Sequence, residues 1–389
     1  MNRVKVFMLT VAILLPLGLY AADGNEKDLF NPLQYGVTSL NIVPDARGGG
    51  MANIGVANEA DVYSQYWNPA KYAFAYSKAG VGVTYTPWLR QLVDDIDLVY
   101  LSGFYKLGYE QNQALAASIR YFSLGDIEMR DGGGYLQYNA KPYEMAVDLS
   151  YSLKFSENFA GAAAIRFIHS DLGVSDQEDM TPGTAFAADI AGYYNKYVML
   201  GASECLWGLG FNLSNIGTKI SYDDRVKQFL PTNLRIGTSL LYPMDDYNAI
   251  SFNIDLNKLL IPTNPNNVDL TEEEKEAYWD EYYATSSIKG LFQGFSQDGI
   301  SAKEKFQEIT YSVGAEYSYD NQFFVRGGYY HEHENKGNRK YFSLGAGFKM
   351  TAFQLDVAYL ISTTPSNPLD QTLRFSLSFD MDGLKGLVR

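Results

Sequence analysis

Apolar and polar residues alternate along most of this chain, in segments that begin near Lys78 and often run for ten or more residues. In 145–155 every odd-numbered residue is apolar or aromatic, whereas the even-numbered residues are alanine, aspartate, serine and lysine. The same alternation runs through 250–257 and 372–379. Successive side chains of a β-strand point to opposite faces, so this period predicts strands with one apolar face. Soluble strands are most often about 5–6 residues long, whereas tilted strands that cross a bilayer need about 9–11, so the length favours membrane-crossing strands.

About fourteen segments of this kind follow one another, and an even number is expected for a bacterial membrane barrel. Their approximate bounds are 78–87, 94–108, 112–123, 142–155, 158–169, 182–195, 205–214, 232–242, 247–258, 309–319, 322–333, 339–350, 352–362 and 370–381. We therefore predict an all-β fold, a transmembrane β-barrel of about fourteen antiparallel strands that occupies 78–389.

The connections between these segments alternate in length. Those after even-numbered strands are mostly short, such as 156–158 and 320–321. Those after odd-numbered strands are mostly longer, and the larger ones are 124–141, 170–181, 215–231 and 259–308. Bacterial barrels have short periplasmic turns and long outer loops, so this pattern predicts a periplasmic N-terminus and places 259–308 outside the cell.

Composition agrees with a barrel and not with a helical membrane protein. Aromatic residues make up 15% of the chain, with 31 Tyr and 22 Phe, yet the mean hydropathy is only −0.20. After the N-terminal segment there is no run of 18 apolar residues, which a spanning helix would need. Alternating strands average out on a hydropathy scale, so a membrane barrel fits these values.

The N-terminus has the features of a secretory signal peptide. Arg3 and Lys5 precede an apolar stretch over 6–19, and the small residues Ala21 and Ala22 follow. A basic start, a short apolar core and a small-residue exit predict cleavage near Ala22, so we assign 1–22 to the signal peptide. Without its two basic residues the formal charge of −14 becomes −16. Such an acidic chain is unsuited to nucleic acid, whose phosphates need a positive surface.

Few residues are suited to catalysis or to binding a metal. Cys205 is the single cysteine of the chain and cannot form an internal disulfide. His169, Ser170 and Asp171 are adjacent, but neighbours on a strand point to opposite faces, and a catalytic triad depends on geometry. His331 and His333 share a face, but a metal site needs three or four ligands. We therefore predict a protein that is not an enzyme and has no catalytic, cofactor-binding or metal-binding residues.

The loop 259–308 is expected to be ordered. Thr271 with Glu274, and Ser301 with Glu304, have the spacing of capping boxes and predict two short helices. A loop of this size is usually functional or disordered. Its bulky aromatic residues are candidates for a contact surface, although they are equally suited to packing a lid onto the barrel. They are Trp279, Tyr282, Tyr283, Phe292 and Phe295.

If the apolar rows of the strands face lipid, the other rows line the lumen. Those rows carry five basic and five acidic residues, and buried charges need partners. They are Arg120, Asp148, Arg166, Asp189, Arg235, Asp255, Glu316, Arg326, Asp356 and Arg374. We predict a charged network across the lumen that fixes the barrel and seats a plug. A path for ions or solutes is the alternative.

The segment 23–77 precedes the first strand and is the candidate for that plug, or hatch. Gly48, Gly49 and Gly50 permit backbone conformations and close approaches that other residues resist. Pro69 fixes the turn after Asn68, and Trp67 stands directly before this pair. Arg47 and Asp61 are suited to locking the plug onto opposite charges in the lumen. Turn formation and packing alone would also explain these residues.

An ordered series of motifs in this segment carries a family resemblance. The chain reads P-D-A-R-G-G-G-M-A over 44–52, A-D-V-Y-S over 60–64 and W-N-P-A-K-Y over 67–72. An N-terminal hatch with these motifs resembles the FadL superfamily of fourteen-stranded outer-membrane proteins. Within it, the chain is similar to the PorV (LptO) family of the Bacteroidetes type IX secretion system. The resemblance covers the hatch and the length of the barrel.

The resemblance implies an adaptor that collects cargo proteins by their C-terminal signal domains as they leave the Sov translocon. The adaptor would present cargo to the PorU sortase, which removes the signal and joins the cargo to lipopolysaccharide. Loop 259–308 would grip the signal domain, with help from 88–93, 124–141 and 215–231. The alternative is a FadL-like transporter of a small hydrophobic solute, which calls for an aliphatic lumen. The inward charges weigh against it.

Overall fold

The computed structural model describes residues 30–90, 93–173, 181–223, 226–264, 271–364, 367 and 369–383. The predicted signal peptide, 1–22, and the first residues of the predicted hatch lie outside the described residues. Within the described part of the chain, fourteen antiparallel strands close into a barrel, and the predicted fold is confirmed. The helices of this part are too short or too polar to cross a membrane.

Eighteen strands are described, and the strands of the closed barrel agree with the fourteen predicted segments. The strands are β1 Ala79–Pro87, β2 Ile96–Leu107, β3 Gln113–Leu124, β4 Ile127–Arg130, β5 Leu136–Ala140, β6 Tyr143–Lys154, β7 Phe159–Asp171, β8 Gly183–Leu200, β9 Ser203–Gly217, β10 Ile220–Ser221, β11 Lys227–Gln228, β12 Asn233–Pro243, β13 Asn248–Leu259, β14 Ile309–Tyr319, β15 Phe323–His331, β16 Lys340–Lys349, β17 Phe353–Ser362 and β18 Leu373–Asp380. Each barrel strand pairs with its neighbours, and β1 pairs with β18 to close the barrel.

The structure differs from the predicted strands in two places. First, β8 and β9 are longer than 182–195 and 205–214 and meet at a two-residue turn, where Gly201 has φ 66°. Asn195 and Lys196 are both polar and 197–200 are all apolar or aromatic, so the alternation that predicts a strand stops before the end of β8. Second, β4–β5 and β10–β11 form two small sheets in the connections 124–141 and 215–231. These strands are too short to give a periodic signal.

The two ends of the barrel differ in their connections. One end, which we call the short-turn end, has the tight turns and contains the start of β1 and the end of β18. The other end, the long-loop end, has the connection from β13 to β14 with its three helices, Glu272–Ala284, Ser287–Gln293 and Ala302–Gln307. A short helix, Glu334–Lys336, also lies there, between β15 and β16.

Alternation along each strand separates an apolar outer wall from a polar lumen. On β6, Leu149 is 51% exposed, whereas its neighbours Asp148 and Ser150 are buried. Four short helices precede β1 and occupy the lumen, at Thr38–Asn41, Ala46–Gly50, Ser64–Trp67 and Pro69–Phe74. Because the plug fills the interior, the core of the molecule lies between the plug and the inner face of the barrel.

Candidate functional site

The plug passes through the barrel from one end to the other. Its first residues, 31–36, which we call the strap, lie at the long-loop end. There the Asn264 side chain donates to the carbonyl of Pro32 at 2.8 Å, and the Gly36 amide donates to the carbonyl of Phe229 at 2.9 Å. The plug then continues to the short-turn end, where β1 begins. β1 thus begins at the short-turn end, whereas the first described plug residues lie at the long-loop end.

The helix Ala46–Gly50 is fixed by hydrogen bonds at its N-terminus. The Asp45 carboxylate accepts the Gly48 amide and the Trp67 indole N–H, both at 2.7 Å. The amide of Ala46 donates to the Ser376 hydroxyl on β18, also at 2.7 Å. An N-terminal cap of this kind satisfies amides that the helix itself leaves without partners.

The three glycines of this helix are required by close approach. A Cβ atom at Gly48 would meet the Trp67 ring, and one at Gly49 would meet the Arg374 side chain. At Gly50 it would meet the backbone of Gly345 on β16, which cannot move aside as a side chain could. None of the three has a positive φ. Close approach, and not an unusual backbone conformation, is therefore the reason for glycine at these positions.

Gly50→Ala is expected to destabilise the plugged barrel by about 1–3 kcal/mol, the usual cost of overpacking a filled core. The measurement is the temperature at which the compact form is lost on heated gels. Gly132→Ala is the control, since a Cβ there meets nothing within 4 Å. Equal transition temperatures for the two variants would contradict the requirement for close approach.

Asn68 joins two parts of the plug to the wall. Its side-chain amide donates to the carbonyls of Val56 and of Gly192 on β8, both at 3.0 Å, and its oxygen accepts the Ala70 amide. Pro69 occupies the first position of the helix Pro69–Phe74, where its missing N–H costs nothing. The plug motif around Asn68 and Pro69 therefore has a structural account.

One ion-pair cluster connects the plug to the wall. Arg47 pairs with Glu316 on β14 at 2.9 Å, and Arg326 on β15 pairs with both Glu316 and Asp356. Asp61 is placed differently from the prediction: it pairs with Arg47 at 3.1 Å, inside the plug, and not with a lumen charge. Arg47 thus forms the link to the wall, and Asp61 holds Arg47 in position.

A second cluster lies within the wall itself. Arg166 on β7 pairs with Asp148 on β6 at 2.6 Å and with Asp189 on β8 at 3.0 Å. Its guanidinium also donates to Asn215 on β9. This residue lies next to the irregular pairing of β8 with β9. The cluster therefore joins four strands at a place where the regular ladder is broken.

The remaining four lumen residues bind the plug backbone. Arg120 donates to the carbonyl of Ile42 at 2.8 Å, Arg235 to that of Tyr66 at 3.1 Å and Arg374 to that of Val43 at 3.3 Å. Asp255 accepts the amides of Gly55 at 2.8 Å and Val56 at 3.1 Å.

The sequence predicted that the lumen charges pair with one another. This prediction is wrong for Arg120, Arg235, Arg374 and Asp255, because polar backbone groups of the plug also need partners and bind these side chains. Two residues that the sequence reasoning missed act in the same way. Glu144 accepts the Ser39 amide, and Lys71 of the plug donates to the carbonyl of Gly55.

The described part of the long loop contains three helices where two were predicted. The box of Thr271 and Glu274 is present, and the Ser301 hydroxyl accepts the Glu304 amide at 3.2 Å. The additional helix, Ser287–Gln293, begins after Ser286, which accepts the Lys289 amide. The fourth residue here is lysine and not glutamate, so the sequence lacks a complete capping box.

Three of the five predicted contact residues pack against the barrel. Tyr282 is buried, and its ring meets those of Phe229 and Trp279 edge-on at 5.4 and 5.3 Å. Tyr283 stacks on Trp279 at 5.4 Å. These residues, the aromatic anchor, fasten the helix Glu272–Ala284 to the barrel and the strap, as the lid alternative expects.

The other two, Phe292 and Phe295, are exposed by 66% and 50%. Ile288, which the sequence reasoning did not identify, is 69% exposed. Positions 288, 292 and 295 have the spacing of one helix face, and we call them the apolar stripe. Ile288 and Phe292 lie on the helix Ser287–Gln293, and Phe295 follows its C-cap, Gly294. On the opposite side Gly290 and Gly294 lie against Phe229, Pro262 and Leu260. The glycines let this helix settle on the barrel and turn its apolar side chains outward.

Buried ion pairs fix the end of the loop to the barrel rim. Glu308 pairs with Lys258 at 3.0 Å and with Lys336 at 3.5 Å, and Lys336 also pairs with Glu304 at 2.6 Å. Burial lowers the pKa of Lys305 to about 8, although Glu308 lies 3.8 Å away. The loop is thus held at its end as well as at the aromatic anchor.

The residues considered for catalysis and metal binding have other partners. His169 lies near Tyr143 on one face of β7, while Ser170 is buried on the other face and accepts the Tyr222 hydroxyl. His331 stacks on Tyr311 at 4.7 Å, and Glu332 pairs with Arg339. Across the described residues, no three His, Cys, Asp or Glu side chains are grouped as a metal site.

The match to a protein-family model decides the family. The model for "Type IX secretion system protein PorV" matches residues 26–266, which is more than half of the chain. The chain belongs to the PorV family. The match includes the hatch motifs, and the resemblance found in the sequence is confirmed. No curated protein sequence matches the chain.

Solved structures that match the chain include two toluene transporters and a FadL homologue. The Ralstonia pickettii toluene transporter TbuX is 11% identical, with 88% of this chain and 98% of that chain covered and a TM-score of 0.45. The Pseudomonas putida toluene transporter TodX is 9% identical, with 90% and 99% covered and a TM-score of 0.48. A Pseudomonas aeruginosa FadL homologue is 11% identical, with 87% of this chain and 98% of that chain covered and a TM-score of 0.44. Similarity at this level does not extend to activity.

Proposed function

We propose that this PorV-family barrel is a cargo adaptor of the type IX secretion system. In this proposal it binds the C-terminal signal domain of cargo leaving the Sov translocon. It then presents that cargo to the PorU sortase for cleavage and attachment to lipopolysaccharide. The apolar stripe carries the proposal. Large exposed apolar side chains on and directly after an ordered helix are suited to binding another protein.

The filled lumen supports an adaptor over a FadL-like transporter of a small hydrophobic solute. Plug and wall are joined by the Arg47–Glu316 pair and by hydrogen bonds from Arg120, Arg235 and Arg374 to plug carbonyls. A hydrophobic solute that passed through the lumen would separate these charged groups from their polar partners. A buried charge without a polar partner is unfavourable. In the adaptor, the barrel has no active site of its own, and the covalent chemistry belongs to the sortase.

The adaptor requires the long-loop end at the cell surface and the start of β1 at the periplasmic side. A peptide tag inserted after Asp298 should therefore bind antibody on intact cells. A tag in the turn at Asp320 and Asn321 should bind antibody only after the outer membrane is permeabilised. Labelling in the reverse order would contradict this orientation.

The proposed function is tested by replacing Ile288, Phe292 and Phe295 together with serine. A hot-spot truncation costs about 2 kcal/mol, so cargo binding is expected to fall by at least about tenfold. Cargo should then accumulate uncleaved or be released without lipopolysaccharide. The readouts are immunoblots of surface and medium fractions and co-purification of cargo with the barrel.

The matched control replaces three exposed apolar residues at the short-turn end, Tyr109, Met244 and Tyr247, with serine. Both variants should reach the membrane in equal amounts. Normal cargo display in the apolar-stripe variant, or equal loss in the control, would count against the adaptor.

A further inference from the structure

A cavity of about 260 Å³ lies between the plug and the wall at the long-loop end. Pro32 and Tyr35 of the strap border it, and Tyr66 and Trp67 line it from the plug. The contacts between plug and wall described above do not fill this space. It is somewhat smaller than most small-molecule pockets, which measure about 300–1,000 Å³, and would hold a compact ligand.

The wall of this cavity includes a polar side chain without a partner. Asn233 on β12 is 3% exposed, and its Oδ1 has no hydrogen-bond partner among the described residues. Asn257, which is opposite Arg235 in the register of β12 and β13, also lines the cavity. A buried polar group without a partner costs free energy unless a water or a ligand satisfies it.

The residues that line the cavity include one more basic than acidic side chain: Arg235, Lys336 and Arg339 against Glu308 and Glu332. The carboxylate of Glu332 is taken up by Arg339 in two contacts of 2.7 Å. That of Glu308 is shared by lysines. Arg235 has no ion pair with any described residue. It donates to the carbonyl and hydroxyl of Tyr66, at 3.1 and 2.8 Å.

Asp255, on the strand next to Arg235, accepts both plug amides with Oδ2, and its Oδ1 has no hydrogen-bond partner among the described residues. A buried positive surplus is unexpected in a chain with a formal charge of −14. It indicates a site for an anion.

We propose that this cavity binds a small, hydroxylated oxyanion, with the anionic group at Arg235 and the polar remainder at Asn233 and Asn257. A guanidinium forms two parallel hydrogen bonds to a carboxylate or a phosphate, and amides both donate to and accept from hydroxyl groups. The oxyanion is a carboxylate or a phosphate ester. An alkyl chain is unsuited to this polar lining.

The test is isothermal titration calorimetry on the purified full-length barrel in detergent micelles, with ionic strength held constant by sodium chloride. The probes are citrate for a hydroxy-carboxylate, glycerol 3-phosphate for a phosphate ester and dodecanoate for an alkyl carboxylate. We expect saturable binding of citrate or glycerol 3-phosphate, and which of the two binds identifies the anionic group. The proposal is overturned if neither binds, or if dodecanoate binds more tightly than both.

Arg235→Gln and Arg374→Gln form a matched pair of variants. Both arginines donate to plug carbonyls, but only Arg235 lines the cavity. Loss of a charged hydrogen bond is expected to weaken binding by at least about tenfold in Arg235→Gln and to leave Arg374→Gln unchanged. Equal weakening in both variants would show a structural effect alone and overturn the assignment.

Asn233→Asp keeps the test decisive if Arg235→Gln does not fold. The Oδ1 of Asn233 has no partner to lose, and the new negative charge would repel an anion. Binding should fall by at least about tenfold in this variant too. Unchanged binding in Asn233→Asp would overturn the site. The measurement involves no cargo, so its outcome is independent of the proposed adaptor function.

Discussion

Arg326→Met is expected to lower the unfolding temperature of the barrel strongly. The Arg326 side chain is fully buried and pairs with Glu316 and with Asp356, the latter at 2.6 Å. Its loss leaves the Asp356 carboxylate buried with Gln354 as its remaining side-chain partner. Breaking a buried pair in this way costs about 3–5 kcal/mol. Heated-gel mobility and circular dichroism during a temperature ramp both measure the effect.

Arg130→Met is the control, since Arg130 pairs with Glu128 on an exposed hairpin. Such a surface pair contributes about 0–1 kcal/mol. A double variant, Arg326→Met with Asp356→Asn, should recover part of the loss, because it removes the unpaired Asp356 charge while Glu316 keeps Arg47 as its partner. Replacing Arg47 and Asp61 with alanine tests the same cluster from the plug side and should also lower the transition. If Arg326→Met behaves like Arg130→Met, packing and not charge holds the plug.

Tyr282→Ala is expected to loosen the long loop while the barrel remains closed. The ring fills the contact with Phe229 and Trp279, and its hydroxyl donates to the carbonyl of Gln34 in the strap at 3.4 Å. Truncating a buried aromatic residue costs about 3–5 kcal/mol. Hydrogen exchange of the amides in Glu272–Ala284, and protease cleavage there, should accelerate by at least about a hundredfold.

Phe292→Ala separates anchoring from recognition. Because Phe292 is mostly exposed, its truncation should leave hydrogen exchange of the loop unchanged and reduce cargo capture. Equal acceleration of exchange in both variants would mean that the apolar stripe is part of the loop's own packing. The adaptor proposal would then lose its main support.

The barrel was predictable from the sequence because each strand repeats one simple constraint over many residues. Along 145–155, lipid on one side and a polar interior on the other impose an unbroken alternation, and this run is longer than the soluble strand of about 5–6 residues. The alternation is lost at Asn195 and Lys196 and does not resume over 197–200, although β8 continues to Leu200, and that is where the predicted bounds were wrong.

The partners of the lumen charges could not be predicted in the same way. A sequence shows which side chains are present but not the path of the backbone, so Arg120 and Arg374 were expected to pair with carboxylates. Their partners are backbone carbonyls of a plug whose path is set by tertiary packing. The same limit applies to the loop: the aromatic residues were identified correctly, but Tyr282 and Phe292 cannot be told apart until the position of the barrel rim is known.

The position of Tyr63 has a consequence for the order in which the chain folds. Its hydroxyl, which belongs to the plug, donates to the carbonyls of Val83 on β1 and Leu377 on β18, the two strands that close the barrel. A sheet that had already sealed would admit the plug only by threading. We expect the plug to dock onto the open, curved sheet before the first and last strands join. Pairing between the two ends of a chain is slow, so a docked plug would hold these two strands close together until they pair.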